Sequence, residues 1–260
     1  MSNYQYCQVA DQGKVRIITL NRPEVMNALH PPASHELEQV FNDFETDPDA
    51  WIAIITGAGE RAFCAGNDLK HQAQVGAITH PASGFGGITA RVSLNKPVIA
   101  AVNGIAMGGG FEIALACDLI IASDTAIFAL PEPHVGLAAT AGGLLRLPRQ
   151  IPLKQAMGII LTGRRVDAHE ALRLGFVNEV VPNGQALKCA LDWSTALLKG
   201  SPMAIRAAKE LVCSGLDTEF AQAYAQQKQL PAVRALYESE DKVEGPRAFA
   251  EKRKPVWKGY

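Results

Sequence analysis

Three consecutive glycines, Gly108 to Gly110, constrain this chain more than any other feature. They open the apolar segment FEIALAC, which lacks proline and has the length and composition of a buried helix. The N–H groups in the first turn of a helix have no partner within the helix, and the aligned peptide dipoles favour negative charge there. Because glycine carries no side chain, another molecule can approach these groups closely. The segment therefore predicts a site for an anion at this helix start.

Two carboxylates are expected near this site. Glu112 follows Gly109 by three residues, so on a helix it projects beside the same first turn. Glu132 comes after the strand-like runs DLIIAS and AIFAL, and the prolines on both sides of it restrict its backbone. Two carboxylates beside an oxyanion site would suit proton removal and delivery next to a carbonyl whose oxygen becomes an enolate.

Taken singly, each feature has a simpler explanation. An acidic residue in the first turn of a helix is commonly a capping or dipole partner, which would account for Glu112. A Pro-Glu-Pro sequence after a strand is commonly an exposed turn, which would account for Glu132. The triple glycine could serve close helix packing. The combination with a second stretch upstream favours catalysis.

The upstream stretch TGAGERAFCAGNDLK follows the buried-strand pattern WIAIIT and predicts a glycine-rich loop with a further backbone donor. With it, the chain resembles the crotonase family, the enoyl-CoA hydratases and isomerases. The resemblance rests on FCAGNDLK, KPVIAAVNGIAMGGGFEIALACDLIIAS, FALPEPHVGL and TGRRVDAHEALRLGFVNEVV. Several motifs in a fixed order over almost the whole chain are a highly specific match, whereas one fragment would be weak.

The resemblance implies roles for individual residues. The two amides of the family's oxyanion hole fall on Asn67 and Gly109. The paired acid/base glutamates of its hydratases fall on Glu112 and Glu132. The backbone of Ala65 would face the adenine of coenzyme A.

The tail EGPRAFAEKRKPVWKG implies a further contact with coenzyme A. Residues at the positions of Phe249 and Lys252 reach the coenzyme in the family, often that of the neighbouring subunit, with the lysine near its phosphates. A spacing of three would place both on one face of a helix. The alternative is a solvated basic helix with a packed phenylalanine.

The order of the predicted elements indicates an α/β fold. Strands with interspersed helices continue to about Val181, and helices alone follow from Pro202. We therefore predict a core with the acyl-CoA site over residues 1–200 and a helical region over residues 201–260. The resemblance implies that the core is a spiral of β-β-α turns and that the helical region builds homotrimers, often paired into hexamers. No internal repeat in the sequence shows that spiral independently.

Three local patterns complete the first half of the chain. A hairpin is expected over residues 4–20 around Asp11 to Lys14, and a helix near Ser34 to Phe44. The segment 71–91 has the weakest periodicity in this half. The resemblance places it beside the acyl pocket, and a solvent loop is the alternative.

Composition excludes several classes of function. With 25 basic and 26 acidic residues, the formal charge of 25 − 26 = −1 gives no basic field for nucleic acid or a membrane. The start lacks the order of a signal peptide, and no run approaches the roughly 18 apolar residues of a spanning helix. The expected location is cytoplasmic.

The sequence contains no motif typical of a metal or nucleotide site. The five cysteines are scattered without a C-x-x-C pair, and the six histidines show no metal-ligand spacing, so no metal is expected. The glycine run fits neither a dinucleotide fingerprint nor a P-loop, and no G-x-S-x-G elbow occurs.

The predicted activity is hydration or dehydration of the α,β double bond of an acyl-CoA thioester, with coenzyme A as part of the substrate and no separate cofactor. The segments FALPE, GGLLRLP and TGRR resemble those of a family branch that acts on a trimethylammonium acyl group. Such a group would require aromatic faces or a carboxylate around it, and Phe85, Phe111 and Trp257 are candidates for the aromatic faces.

Two departures from that branch concern the acyl group: Asn67 replaces a tryptophan, and AATAGG replaces a proline-containing loop. Thr140 stands where dienoyl-CoA isomerases of the family carry an aspartate, which disfavours that chemistry. The alternatives are an enoyl-CoA isomerase and a non-catalytic, RNA-binding or scaffolding relative.

Overall fold

A computed structural model describes residues 4–76 and 79–260. The chain divides into two compact units. The first consists of Met1–Val92 and Val98–Leu191, and the second of Ser93–Pro97 and Asp192–Tyr260. The prediction of a core over residues 1–200 and a helical region over residues 201–260 assigns a function to each part as well as its bounds. It stays a prediction.

The described residues contain ten strands, all in the first unit. They are β1 (Cys7–Gln12), β2 (Val15–Leu20), β3 (Ile52–Gly57), β4 (Ala62–Cys64), β5 (Val98–Val102), β6 (Ile105–Met107), β7 (Leu119–Ser123), β8 (Ile127–Ala129), β9 (Val166–Asp167) and β10 (Glu179–Val181).

Eleven α-helices occur in the same described part of the chain. They are α1 (Pro31–Thr46), α2 (Leu69–Val75), α3 (Gly109–Ala116), α4 (Gly143–Gln150), α5 (Leu153–Thr162), α6 (Ala168–Leu174), α7 (Ala186–Leu197), α8 (Pro202–Gly215), α9 (Phe220–Gln226), α10 (Pro231–Glu238) and α11 (Glu240–Ala250). Short 3-10 turns cover Pro23–Val25, Phe85–Gly87, Glu132–Val135 and Gln227–Gln229.

The strands form two sheets. The larger has the order β1-β2-β3-β5-β7-β10, and the smaller has the order β4-β6-β8-β9. Pairing is parallel except at β1 with β2 and at β8 with β9. The central strands β3 and β5 are buried along their whole length, as expected for parallel strands covered on both faces.

Successive strand pairs enter the two sheets alternately. Strands β3, β5 and β7 join the larger sheet, and the strand after each, β4, β6 or β8, joins the smaller one. Helices α2 and α3 follow the first two pairs. Each turn of the chain thus contributes one strand to each sheet, which confirms the predicted spiral of β-β-α turns.

The predicted elements of the first half are also confirmed. Strands β1 and β2 form the expected hairpin, in which Gln12 pairs with Val15. Helix α1 contains the predicted segment, and its start is capped by the His30 side chain, which accepts a hydrogen bond from Ala33 N–H.

The segment 71–91 is more ordered than its weak periodicity indicates, although residues 77 and 78 lie outside the described residues. Helix α2 continues to Val75, and Phe85 to Thr89 are buried. The interpretation of the whole segment as a solvent loop was therefore wrong.

The second unit is helical, and a buried carboxylate joins parts of it. Asp241 accepts hydrogen bonds from the Ser201 hydroxyl at 2.7 Å and from the backbone N–H of Lys258 at 2.7 Å and of Gly259 at 3.2 Å. These contacts hold the C-terminal residues against the starts of α8 and α11. Within residues 4–76 and 79–260, no helix combines the length and apolar character needed to cross a bilayer.

Candidate active site

The start of α3 is bare of side chains because its neighbours leave no room for them. A Cβ on Gly110 would overlap the carbonyl oxygen of Cys64, and a Cβ on Gly108 would lie 2.7 Å from Oε1 of Glu132. Gly108 also has a φ of 53°, which L side chains rarely adopt. Close packing therefore accounts for Gly110, whereas Gly108 is adjacent to a carboxylate.

The middle glycine lies under an aromatic ring. A Cβ on Gly109 would come 2.5 Å from Cε1 of Phe85, which is itself buried. Gly109 is the first residue of α3, so its N–H has no acceptor within the helix. That N–H donates no hydrogen bond within the described part of the chain.

The loop that contains Asn67 reaches the same helix start. A Cβ on Gly66 would lie 3.0 Å from the backbone nitrogen of Gly109. Leu29 donates to Gly66 O at 2.8 Å and accepts from Asp68 N–H at 2.9 Å, which is the pattern of a parallel bridge between Leu29 and Asn67. In such a bridge the N–H of Asn67 itself points away from Leu29. Among residues 4–76 and 79–260 this N–H has no acceptor.

An ion pair holds this loop in place. Arg22 Nη2 lies 3.0 Å from Oδ2 of Asp68, and both side chains are largely buried. Oδ1 of Asp68 also caps α2 by accepting from His71 N–H at 3.1 Å. Since Asp68 follows Asn67 directly, this pair fixes the residue that the sequence predicts as an oxyanion donor.

Glu112 is a buried carboxylate with a backbone partner. Its exposure is 3%, and its Oε1 accepts a 2.8 Å hydrogen bond from Gly143 N–H, at the first residue of α4. Burial raises the pKa of Glu112 to about 7, the Gly143 hydrogen bond opposes this rise, and the charge of Glu132 adds to it. The interpretation of Glu112 as a cap of its own helix was therefore wrong.

Glu132 begins a 3-10 turn and approaches the start of α3 from the other side. Its Oε1 abuts Gly108, and its Oε2 is buried with no hydrogen-bond partner in the described chain. Burial raises the pKa of Glu132 as well. The turn is exposed from Pro133 onwards, as the exposed-turn interpretation expects, but Oε2 of Glu132 is directed inward.

The structure therefore brings four predicted residues to one place. Asn67 and Gly109 each have an amide N–H without a partner, and Glu112 and Glu132 are close enough for their charges to interact. Burial raises the pKa of both carboxyl groups, so each holds its proton to a higher pH than a solvated glutamate does. Such an arrangement can hold an oxyanion while a proton moves to or from an adjacent carbon.

Comparison with known proteins identifies the fold and the family. The sequence matches the enoyl-CoA hydratase/isomerase family over residues 10–260. The carnitinyl-CoA dehydratase of Proteus mirabilis (strain HI4320) is 44% identical over 259 residues, covering 98% of this chain and 99% of that protein. The carnitinyl-CoA dehydratase of Escherichia coli (strain K12) is 46% identical over 251 residues, covering 95% and 96% of the two chains.

A solved structure agrees with this match. An enoyl-CoA hydratase from Mycobacterium marinum superposes with a TM-score of 0.92 at 38% identity, over 98% of this chain and 99% of that one.

The chain belongs to the enoyl-CoA hydratase/isomerase family.

Membership confirms the resemblance to the crotonase family and the prediction of an enoyl-CoA hydratase-like lyase. The roles of single residues within the site stay predictions.

The predicted contacts with coenzyme A lie in two parts of the chain. Ala65, next to Gly66, is half-buried and donates its N–H to Met26 O at 3.0 Å. Phe249 and Lys252 belong to the second unit, and both are exposed.

The expectation that Phe249 and Lys252 share a helix face was wrong, because α11 ends at Ala250. Lys252 has a φ of 52°, Lys252 N–H donates to Phe249 O at 3.2 Å, and Arg253 N–H donates to Ala248 O at 3.1 Å. These two bonds form a Schellman cap, with lysine at the left-handed position where glycine is usual. Neither glycine nor proline marks this helix end in the sequence.

Two of the three candidate aromatic residues have other contacts. Phe111 is fully buried against Phe128 and Phe176, so it cannot face a substrate. Trp257 donates its indole N–H to Lys199 O at 2.9 Å within the second unit. Only Phe85 lies at the site, against Gly109.

The Asn67 side chain adds a polar group to the candidate site. Its Nδ2 donates to Gln72 Oε1 at 2.5 Å, while its Oδ1 is buried with no partner among the described residues. Thr140, by contrast, is exposed in the loop that leads to Gly143.

Sequence reasoning missed three contributors to this family site. Gly143 supplies the hydrogen bond to Glu112, Arg22 fixes the Asn67 loop, and Arg146 approaches the site from α4. The Gly-Gly pair directly before LLRLPR was an available signal for Gly143, since glycine there leaves a helix's first N–H groups accessible. In the described chain, no group of three or more His, Cys, Asp or Glu side chains could hold a metal ion.

Proposed function

We propose that this protein catalyses the reversible hydration of the α,β double bond of an acyl-CoA thioester. The observation that carries the proposal is the placement of two carboxylates, the buried Glu112 and the half-buried Glu132, beside the unpartnered N–H of Gly109. An isomerase needs only one carboxylate for proton transfer, so the pair favours hydration.

In the proposed reaction the thioester oxygen accepts hydrogen bonds from the N–H groups of Asn67 and Gly109. Water attacks the β-carbon and gives one proton to one carboxylate, while the electron pair of the double bond moves towards the α-carbon and the carbonyl. The resulting enolate is stabilised by the two N–H groups. The other carboxyl group, protonated at the start, then delivers its proton to the α-carbon, so that one molecule of water is added and the pair holds one proton as before.

The orphaned Oε2 of Glu132 supports this scheme. A buried carboxylate oxygen without a partner is costly, and it is stabilised when a water molecule or a substrate hydroxyl donates to it. Its neighbour Glu112 already uses Oε1 for Gly143. Glu112 is thus fixed by a hydrogen bond, whereas Glu132 has an oxygen atom available to accept one. This difference suits the binding of a single water molecule.

For the acyl group we propose crotonobetainyl-CoA and carnitinyl-CoA as the first substrates to test. The reason is the 44% and 46% identity to two carnitinyl-CoA dehydratases over nearly the full length of each chain. Phe85 is the aromatic residue at the site available for a trimethylammonium group. Asn67 in place of tryptophan is the departure that bears most on this choice.

The testing experiment is turnover on a panel of thioesters that contains crotonyl-CoA, longer enoyl-CoAs and crotonobetainyl-CoA. Product analysis by mass spectrometry distinguishes the gain of a water from a shifted double bond. The Glu112→Gln/Glu132→Gln double variant, purified in the same way, controls for a hydratase carried over from the expression host. Hydration by the wild type alone is expected. Isomerised product, or RNA binding without turnover of any thioester, would replace this proposal with one of the alternatives.

The remaining parts of the proposal concern cofactors, assembly and location. Coenzyme A is part of the substrate, and no metal or redox cofactor is proposed, since hydration transfers only protons and water. A homotrimer, or a hexamer of two trimers, is the assembly that the family suggests. The cytoplasm is the proposed location.

A further inference from the structure

A single guanidinium joins two backbone segments of the site. Arg146 Nη2 donates a 2.8 Å hydrogen bond to the carbonyl oxygen of Thr89, and a Cβ on Gly142 would overlap its Nη1. Arg146 is on α4, and its own N–H donates to Gly142 O at 2.8 Å. The side chain therefore spans from the turn at Gly142 to the segment that ends at Thr89.

Each of these segments presents one group to the reacting region. The first presents the amide of Gly143, which donates to Glu112. The second presents Phe85, whose ring covers Gly109, and Thr89 N–H is bonded back to Phe85 O at 3.4 Å. Neither Glu112 nor Glu132 makes a hydrogen bond to Thr89, so neither of them joins the two segments.

We propose that Arg146 is a positioning residue for Glu112. Its guanidinium fixes the distance between the Phe85 segment and the Gly142–Gly143 turn, so that the Gly143 N–H stays directed at the carboxylate. This inference rests on the proposed function, because it assigns Arg146 a part in the same reaction.

Burial is the main cause that raises the pKa of Glu112, whereas the positive charge of Arg146 lowers it, and so does the Gly143 hydrogen bond that Arg146 positions. The elements packed against α3 supply few other charges. Glu132 opposes Arg146, Cys64 stays a neutral thiol because burial raises its pKa to about 12, and Arg149 on α4 is exposed.

The test compares three variants on crotonyl-CoA. Arg146→Met removes both the charge and the bridge, so we expect a roughly 10- to 100-fold loss in kcat and a shift of the kcat/KM pH profile to higher pH. Arg146→Lys keeps the charge without the planar bridge, so the loss in kcat should persist while the pH profile lies between those of the wild type and Arg146→Met. Arg149→Met removes an arginine from the same helix and should change neither quantity.

A purely structural role for Arg146 would lower the melting temperature without moving the pH profile. A folded Arg146→Met protein with the wild-type profile would therefore overturn the proposal. If Arg146→Met does not fold, Arg146→Lys decides alone, since wild-type kcat in that variant would show that the bridge has no role.

A second measurement separates this inference from the proposed function. The protonation of Glu112 can be followed by infrared titration, as the carboxyl signal that Glu112→Gln abolishes. In Arg146→Met this signal should titrate at higher pH than in the wild type, whether or not any thioester is turned over. An unchanged titration would reject the role of Arg146, whereas absent hydration with a shifted titration would reject only the reaction.

Discussion

The amide N–H of Gly143 and Oε1 of Glu112 form a buried 2.8 Å hydrogen bond between residues 31 positions apart in the chain. The N–H belongs to the first turn of α4, where no acceptor exists within the helix. A buried carboxylate needs such a donor. The bond thus satisfies two groups at once and fixes the orientation of Glu112 from outside its own helix.

Replacement of either carboxylate by its amide should slow hydration without unfolding the protein. We expect Glu112→Gln and Glu132→Gln each to lower kcat by roughly 10²- to 10⁴-fold, because a neutral amide cannot exchange the proton. Circular dichroism should show an unchanged fold. Since both groups act on one water, the double variant should lose far less than the product of the two single losses. Near-normal turnover in either single variant would remove that residue from the mechanism.

Stability should depend on pH through Glu112. The folded pKa of about 7 lies above the ordinary value of 4.5, so the folded state holds the proton more tightly than the unfolded state. The stabilisation is therefore complete below about pH 4.5 and is lost as the pH rises through about 7. Between those limits, the free energy of unfolding of the wild type should fall relative to that of Glu112→Gln by on the order of 3 kcal/mol.

Urea titrations of both proteins at a fixed protein concentration would measure this difference, because contributions from groups that do not interact with Glu112 cancel. A difference that stays constant from pH 4.5 to pH 7.5 would contradict the raised pKa.

Gly108→Ala tests the contact with Glu132. The new methyl group would lie 2.7 Å from Oε1 of Glu132, so the carboxylate must move, and we expect a roughly 10- to 100-fold loss in kcat. A positive φ also costs about 1 kcal/mol for any L side chain. Gly13→Ala is the matched control, because Gly13 has a φ of 60° and a Cβ there would have nothing within 4 Å. Equal kcat in the two variants would show that the position of Glu132 is unimportant.

The N–H of Gly109 can be tested once the clash with Phe85 is relieved. We expect Gly109→Ala/Phe85→Ala to remain active, because alanine keeps the N–H and the smaller residue makes room for its Cβ. Gly109→Pro/Phe85→Ala occupies similar space without the N–H, and proline is tolerated in a first helical turn. Its kcat should be lower by roughly 10²- to 10³-fold, as for the loss of one oxyanion donor. Equal kcat in the two double variants would assign the glycine to packing alone.

Local patterns in the sequence predicted several of the strands and α3 and named the candidate residues of the site, but they did not predict the contacts that hold these residues. Periodicity and short motifs report on neighbours in the chain, so they located Glu112 on its helix and Glu132 after its strand. The bond from Gly143, the ring of Phe85 over Gly109 and the bridge from Arg146 join segments far apart in sequence. Such contacts follow from the alternation of strands between two sheets, which no local pattern encodes.

The sequence pattern did not predict the end of α11, for a different reason. A helix normally ends where glycine can adopt a left-handed conformation, and here Lys252 adopts it instead. Hydrogen bonds around the helix end accompany this strain, since Arg253 pairs with Glu244 and with Glu251. The ion pairs and the cap depend on the folded structure, and the spacing of Phe249 and Lys252 in the sequence does not predict them.

The unusual conformation of Lys252 gives a clean test of its proposed contact with the phosphates of coenzyme A. Both Lys252→Ala and Lys252→Gly remove the charge, so both should raise KM by roughly threefold to tenfold at low salt with little change in kcat, because the phosphates lie far from the reacting bond. The glycine variant should also melt at a higher temperature than the alanine variant, since only glycine relieves the positive φ of 52°. Lys254→Ala removes an equivalent charge two residues later and should leave KM unchanged. The rise in KM should shrink at high salt and disappear with pantetheine thioesters, which lack the distal phosphates. If KM instead follows the melting temperature, so that alanine raises it and glycine does not, Lys252 supports the helix end and has no part in binding coenzyme A.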